Sequence, residues 1–195
     1  MTIAKGQPWG APGRLPEQGV VVRSDAAAAS ALESARRDGR PFPTLGLLGG
    51  DLARTLGGAA GLAVRFPIDV GEVRVDGRLH LFVAHVAAHG RTWRRSVVAM
   101  NAQWLGPWNL GPKAHPNDGL LDISDARLSC ADLPKVRARA RLGAHLPHPR
   151  IRLQRTGAAQ VDLERPLPVF VDGVCVGRGR QLAFRALPDA LTVFV

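Results

Sequence analysis

Cysteine, lysine and uninterrupted apolar sequence are all scarce in this chain of 195 residues. Its two cysteines, Cys130 and Cys175, are too few for a disulfide framework and lack metal-ligand spacing, so a reducing compartment is expected. The opening carries Gly6, Pro8, Gly10, Pro12, Gly13 and Pro16 and lacks the apolar run of about seven residues that a secretory signal needs. No later segment reaches the roughly 18 consecutive apolar residues of a spanning helix. These absences point to a cytoplasmic protein, at most peripheral to a membrane. Lysine occurs only at Lys5, Lys113 and Lys135, against 23 arginines, a bias that a GC-rich genome imposes by itself. There is no internal repeat and no coiled-coil period.

What is present is positive charge, +10 at neutral pH. A surplus of this size draws a protein toward anionic membranes or nucleic acid, whatever its origin. Candidate contacts cluster at Arg91, Arg94 and Arg95, at Lys135, Arg137, Arg139 and Arg141, and at Arg150, Arg152 and Arg155. Taken singly, each cluster is also what a solvated face looks like. A chain of this length buries roughly 70% of its unfolded surface and folds without staples, as one domain or one domain with a small appendage.

The apolar pattern divides the chain. Val20, Val21 and Val22 read as a short buried strand, and Ser24 or Asp25 can cap a helix over residues 26–37 with Ala28, Leu32 and Ala35 as its apolar stripe. Gly39 and Pro41 stop that helix, residues 44–48 read as a second strand, and residues 51–56 start another helical turn. This is a strand-helix-strand unit with a right-handed crossover. From about Val64 the texture becomes many short strands, at residues 69–75, 79–87, 96–101, 121–128, 151–154, 159–163, 169–171, 182–186 and 191–195. Such a series, punctuated by Gly, Pro and Asp, argues an antiparallel sandwich. Residues 131–142 read as a basic helix or irregular crossover broken near Pro134. Asp76-Gly77 and Asp172-Gly173 are hairpin turns by their chemistry, because both residue types tolerate positive φ.

The most informative stretch is NAQWLGPWNLGPKAHPNDGLLDI, from Asn101 to Ile123. It sets Asn101, spaced glycines, Pro112-x-Ala114 and Asp118-Gly119-Leu120-Leu121-Asp122 in a fixed order. Gly143-x-His145 with His148-Pro149, then Val171-Asp172-Gly173, then Leu187-Pro188-Asp189-Ala190-Leu191 follow in order. This series resembles the diacylglycerol and sphingosine kinase family of lipid kinases, related in fold to NAD kinases, and the likeness runs from about Val20 to Val195. In the first half, Asp51-Leu52-Ala53-Arg54 resembles the family's N-D-x-A-R segment. Where the family has a G-G-D-G-T loop, this chain has Arg23-Ser24-Asp25-Ala26-Ala27, keeping the acid and losing the glycines and the threonine that let backbone N–H groups approach phosphates.

The resemblance implies an α+β fold: a Gly/Pro-rich segment at residues 1–18, a truncated Rossmann-like α/β remnant at 19–60 and a β-sandwich of the lipid-kinase C-terminal type at 61–195. It implies that the chain is divergent and lacks the first strand-helix units of the nucleotide domain. By the same resemblance Asp172 is the base that takes the lipid hydroxyl proton, with Val174 where a glutamate is expected. Asp25, Asp51, Arg54 and Asn101 belong to the nucleotide side, and Asp118 and Asp122 to the corner that organises Mg²⁺; an active enzyme would use Mg²⁺ and ATP.

Each of these residues also has a structural reading: Asp25 as a helix cap, Asp118 and Asp122 as turn and strand-end residues. His85, His89, His115, His145 and His148 form no helical pair with a third ligand, so no metal centre is expected among them. Trp104 and Trp108 suit core packing, a membrane interface or a stacked ligand. Three functions follow: a lipid- or anionic-membrane-binding relative with lost or weak phosphotransfer, a minimal lipid kinase acting on a diacylglycerol-like hydroxyl, and, on charge alone, a nucleic-acid binder. A truncated sheet leaves an open edge, so a homodimer or a partner subunit is expected.

Overall fold

The computed structural model describes residues 9–58 and 61–195. Its first unit is built from β1 (Ala11–Pro12), β2 (Val20–Val22), α1 (Asp25–Arg37), β3 (Leu45–Leu47) and α2 (Asp51–Thr55). The cap of α1 is Ser24, whose Oγ accepts the Ala27 N–H at 3.2 Å. Ala28, Leu32 and Ala35 recur at the helical period, so one stripe of α1 is buried as the sequence predicts. β2 and β3 pair in parallel, and β3 in turn pairs in parallel with the end of the last strand, Leu45 opposite Val193.

The remainder is β4 (Val64–Val75), β5 (Arg78–Phe82), β6 (His85–His89), β7 (Arg95–Met100), β8 (Trp104–Leu105), β9 (Trp108–Asn109), β10 (Leu121–Arg127), α3 (Asp132–Ala140), β11 (Ile151–Thr156), β12 (Ala158–Val171) and β13 (Val174–Phe194). The order β1-β4-β13-β12-β6-β7-β10-β11 is antiparallel throughout, with β5 beside β4 and β8–β9 a separate hairpin. The fold is a mostly antiparallel β-sandwich with few helices. No helix among the described residues is long and apolar enough to cross a membrane.

Asp76-Gly77 joins β4 to β5 and Asp172-Gly173 joins β12 to β13, with φ of 48° and 86° and of 45° and 84°. Both are two-residue turns of the primed kind that the right-handed twist of a hairpin favours. Pro134 sits in the first turn of α3, where its missing N–H has no helical partner to lose, so it starts the helix instead of breaking it.

The strands differ from the sequence reading chiefly in where they join and split, although β4 also begins at Val64 in place of residue 69, and β1, β8 and β9 were not read. The segments at 159–163 and 169–171 are one strand, β12, which absorbs Glu164, Arg165 and Pro166 in a register shift between Asp162 and Leu167. Residues 182–186 and 191–195 likewise fall almost wholly within β13, with a shift between Leu187 and Leu191. Conversely, residues 79–87 split into β5 and β6, because the Val83 and Ala84 N–H groups turn away to donate to the Asp172 carboxylate.

One cluster of buried side chains combines Val22, Ala28, Leu32, Leu45 and Leu52 from the first unit with Ile68, Val70, Leu191 and Val193 from the sandwich. A second fills the sandwich around Val73, Phe82, Val97, Leu121, Val169 and Phe184. The two parts therefore meet through shared core, and this is what brings α1, α2 and the β12–β13 turn together.

Candidate functional site

At that junction four titratable side chains converge. Asp25 comes from the first residue of α1, Asp51 from the first residue of α2, His85 from the start of β6, and Asp172 from the β12–β13 turn. The Asp25 carboxylate accepts the N–H groups of Asp51 at 2.5 Å and Leu52 at 3.2 Å. It thereby caps α2, the neighbouring helix, while Ser24 caps its own. Gly50 makes this approach feasible: its φ is +104°, and a Cβ there would lie 2.4 Å from Asp25 Oδ1.

Asp172 is 5% exposed and more heavily engaged. Its Oδ2 accepts from Val83 N at 2.8 Å, and its Oδ1 from Ala84 N at 3.0 Å and His85 N at 2.9 Å. His85 Nε2 lies 3.0 Å from Asp51 Oδ2, which also accepts the Gly106 N–H at 2.8 Å. The potential ligand atoms of Asp25, Asp51 and His85 all fall within 4.8 Å of one another.

The charges in this group are set against each other. Burial, and then the charge of Asp172, raise Asp25 to about 6, against the N–H groups of Asp51 and Leu52. Burial also raises Asp172, opposed by the His85 charge and by the three backbone donors. Burial would depress His85, but its bond to Asp51 and the charges of Asp172, Asp51 and Asp25 outweigh that and raise it. Asp51 feels burial upward, and the His85 bond, the Gly106 N–H and the charges of His85 and Arg54 hold it below the usual range. The partner of the acids is thus an imidazole drawn toward its protonated form.

Arg54 and Asn101 do different work. Arg54 Nη1 donates to the Gly106 carbonyl at 2.9 Å, and its guanidinium lies 3.4 Å from the Trp104 ring centroid, so α2 is pinned to the β8–β9 hairpin. Trp104 is half-buried under this arginine. Asn101 is fully buried and its Nδ2 ties the Asp69 and Val83 carbonyls together at 2.9 and 2.8 Å, bracing the corner where β5 gives way to β6.

Asp118 and Asp122 lie outside the four-residue group. They converge on one guanidinium: Asp118 pairs with Arg155 Nη2, and Asp122 Oδ1 lies 3.3 Å from Arg155 Nε. Burial raises Asp122 and the Arg155 charge opposes it.

Two site residues escaped the sequence reading. His85 was set aside with the other histidines, since nothing local pairs it with Asp51, 34 residues away. Asp69 was read only as the start of a strand, yet it is fully buried, with Oδ2 accepting Gly119 N at 2.6 Å and Oδ1 accepting Asp189 N at 2.9 Å. A lone acid in the apolar run Phe66-Pro67-Ile68-Asp69-Val70 was its one available signal.

A separate apolar cavity lies between α3 and the sheet. Leu133, Val136 and Ala140 roof it, Val98 and Ala126 floor it, and Trp93 and Trp108 close one side. Its volume is about 70 Å³. His145 also lines it; this residue is 5% exposed, its Nδ1 has no protein partner, and burial followed by the His148 charge lowers its pKa. The cavity is therefore apolar with one neutral imidazole in its wall.

The model of the YegS C-terminal NAD kinase β-sandwich-like domain matches residues 53–195. The chain belongs to this family. Among solved structures, two from Bacillus anthracis strain Sterne, provisionally described as a diacylglycerol kinase, superpose with TM-scores of 0.67 and 0.65 at 17% and 16% identity. Each alignment covers 90% of this chain and 77% of the other. A third, described as a diacylglycerol kinase from the same strain, has a TM-score of 0.56 at 17% identity over 78% of this chain and 66% of its own. No curated protein matches in sequence. The lipid-kinase likeness first read from Asn101 onward therefore stands, as does the sandwich it implied.

Kinases of this kind use ATP and Mg²⁺, and the side chains present do not suit that pair. Mg²⁺ takes oxygen ligands in near-ideal octahedra. Here one of three convergent groups is an imidazole, both Asp25 oxygens face backbone N–H groups, and an arginine already sits between Asp118 and Asp122. A phosphate chain needs unpaired donors, but the N-terminus of α2 is capped by Asp25 and that of α1 by Ser24.

Proposed function

We propose that this chain is a lipid-binding member of the lipid-kinase family in which phosphotransfer from ATP is lost or weak. The observation that carries this reading is the occupation of Asp25 and Asp172 by backbone N–H groups of the chain itself. Phosphoryl transfer draws most of its rate from preorganised donors and cations around the triphosphate. One such donor is worth about 3–4 kcal/mol in a transition state. At this junction the donors are spent on carboxylates, and an incoming polyanion meets Asp25, Asp51 and Asp172. Asp172, as a base, has three hydrogen bonds that hold its lone pairs inward, and Val174 stands where the family likeness expects a second acid.

The lipid side supports the complementary half of the proposal. At about 70 Å³, the apolar cavity beside Trp93 and Trp108, with neutral His145 as its polar point, is well below the several hundred Å³ of a whole-ligand pocket and admits only the end of an alkyl chain. The test uses soluble dioctanoylglycerol. Filling the cavity displaces water from two indoles, so a saturable blue shift of tryptophan fluorescence is expected, with no ATP-dependent phosphorylation above an Asp172→Asn control. Absence of the shift overturns the lipid-binding half, and phosphate incorporation at an ordinary kinase rate, on the order of 1–100 turnovers per second, that disappears in Asp172→Asn overturns the other half and restores the minimal kinase.

A further inference from the structure

Positive charge is concentrated in α3 and the segment that follows it. From residue 131 to 155 there are seven basic side chains against one acid, Asp132, a net of +6 in a chain whose total is +10. Arg150 is engaged by Asp132, and Arg155 by Asp118 and Asp122. On α3 and just past it, Lys135, Arg137, Arg139 and Arg141 are exposed, and no ion pair among the described residues engages them, whereas Arg152, opposite Asp125, lies on the sheet face away from the cavity.

At the end of this run of charges stands an apolar residue with no packing role. Leu142, just past the end of α3, is 82% exposed, more than any other large hydrophobic among the described residues. Gly143, with φ of +66°, reverses the chain behind it. Gly143, Leu146, Ile151 and Leu153 then line a groove beside it, with Leu153 39% exposed, and Ile151 also lines the cavity under α3. An apolar tip, the unpaired cations of α3 and a groove that shares Ile151 with the apolar cavity thus meet at the C-terminal end of α3.

We infer that this face, centred on Leu142 at the C-terminal end of α3, docks the protein on an anionic phospholipid bilayer. Leu142 enters the acyl region, Arg139 and Arg141 contact lipid phosphates, and the aliphatic stems of the arginines lie along the interface. Docking places the cavity against the bilayer, and in this respect the inference rests on the lipid-binding reading above. Charge complementarity selects an anionic partner, and Leu142 selects a membrane over nucleic acid. A single-strand binder presents aromatic platforms for bases, whereas the exposed large hydrophobics here are aliphatic.

The experiment is co-sedimentation of the intact chain with phosphatidylcholine vesicles, with and without phosphatidylglycerol, at low and raised salt. Binding is expected only with phosphatidylglycerol and weakens as salt screens the arginines. A basic side chain at an anionic surface contributes about fivefold in partitioning, so Arg139→Glu with Arg141→Glu lowers it about 25-fold or more. Leu142→Ser lowers it roughly tenfold. Neither variant touches the cavity lining, so both keep the fluorescence response to dioctanoylglycerol. Unchanged partitioning in both variants, equal binding to neutral vesicles, or a salt-dependent shift with single-stranded RNA alongside no vesicle binding each overturn the docking face. Vesicle binding that both variants abolish, in a protein that gives no dioctanoylglycerol response, sustains the docking face and removes only the lipid-cavity reading.

Discussion

At the scale of single residues, the buried carboxylates are held where hydrogen bonds are good and solvation is poor. Asp69 shows it most cleanly. It accepts two backbone N–H groups, yet burial, the largest influence, raises it from the usual 3.8 to about 6, with the Asp118 charge adding to the rise. A carboxyl that binds its proton more tightly when folded adds stability below pH 3.8 and loses it as pH climbs toward 6. At about 1.4 kcal/mol per tenfold change in proton affinity, Asp69 alone accounts for about 3 kcal/mol of that loss. The lowered carboxylates Asp38, Asp51, Asp76 and Asp132 act in the opposite sense below pH 3.8 and Glu164 below 4.5, while the lowered imidazoles of His80, His89, His115 and His145 oppose the loss within the window. Urea denaturation at pH 4 and pH 7 is expected to show a change in stability from pH 4 to pH 7 that is less favourable in the wild type than in Asp69→Asn by about 2 kcal/mol. Equal changes in the two proteins contradict the assignment.

At the scale of elements, cross-strand packing sets what each strand tolerates. Gly71 of β4 faces Phe82 of β5, and the fully buried Phe82 ring lies over it: a Cβ at Gly71 would meet Cζ at 2.1 Å. Gly71→Ala forces the ring or the strand to shift and is expected to lower stability by about 1–3 kcal/mol. Adding Phe82→Leu to it should recover part of that loss in thermal melts, and a simple sum of the two single effects would deny that the pair is coupled.

Elements of this kind were readable where the determinants are local. The Ala28, Leu32, Ala35 stripe fixes α1, and Asp-Gly pairs fix the two hairpins. The break between β5 and β6 was hidden because its cause, Asp172, lies 89 residues from Val83. Pro166 and Pro188 read as punctuation, but long strands took them up as register shifts. The site divided in the same way: Asp25, Asp51 and Asp172 are visible through family likeness, whereas the imidazole that faces Asp51 emerges only when β6 is brought against α2.

At the scale of the whole molecule, the decisive feature is that the first unit has no core of its own. The family match begins at Ala53, inside α2, and so leaves out β2, α1 and β3. Yet Val22, Leu32, Leu45 and Leu52 are each at most 5% exposed, in one cluster with Ile68, Val70, Leu191 and Val193. Burying such a side chain is worth about 1.5–3 kcal/mol, so removing the unit strips the sandwich of stabilisation comparable to the 5–15 kcal/mol of a typical domain. It also unpairs the end of β13, where Val193 and Phe194 bond β3, and exposes an apolar strand to intermolecular pairing. The isolated segment 61–195 is therefore expected to aggregate or to melt without a cooperative transition, whereas the full chain melts as one unit. A sharp transition in the fragment, with its amide protons protected from exchange, would mean that the sandwich stands alone and that the α1–β3 unit is an accessory to it.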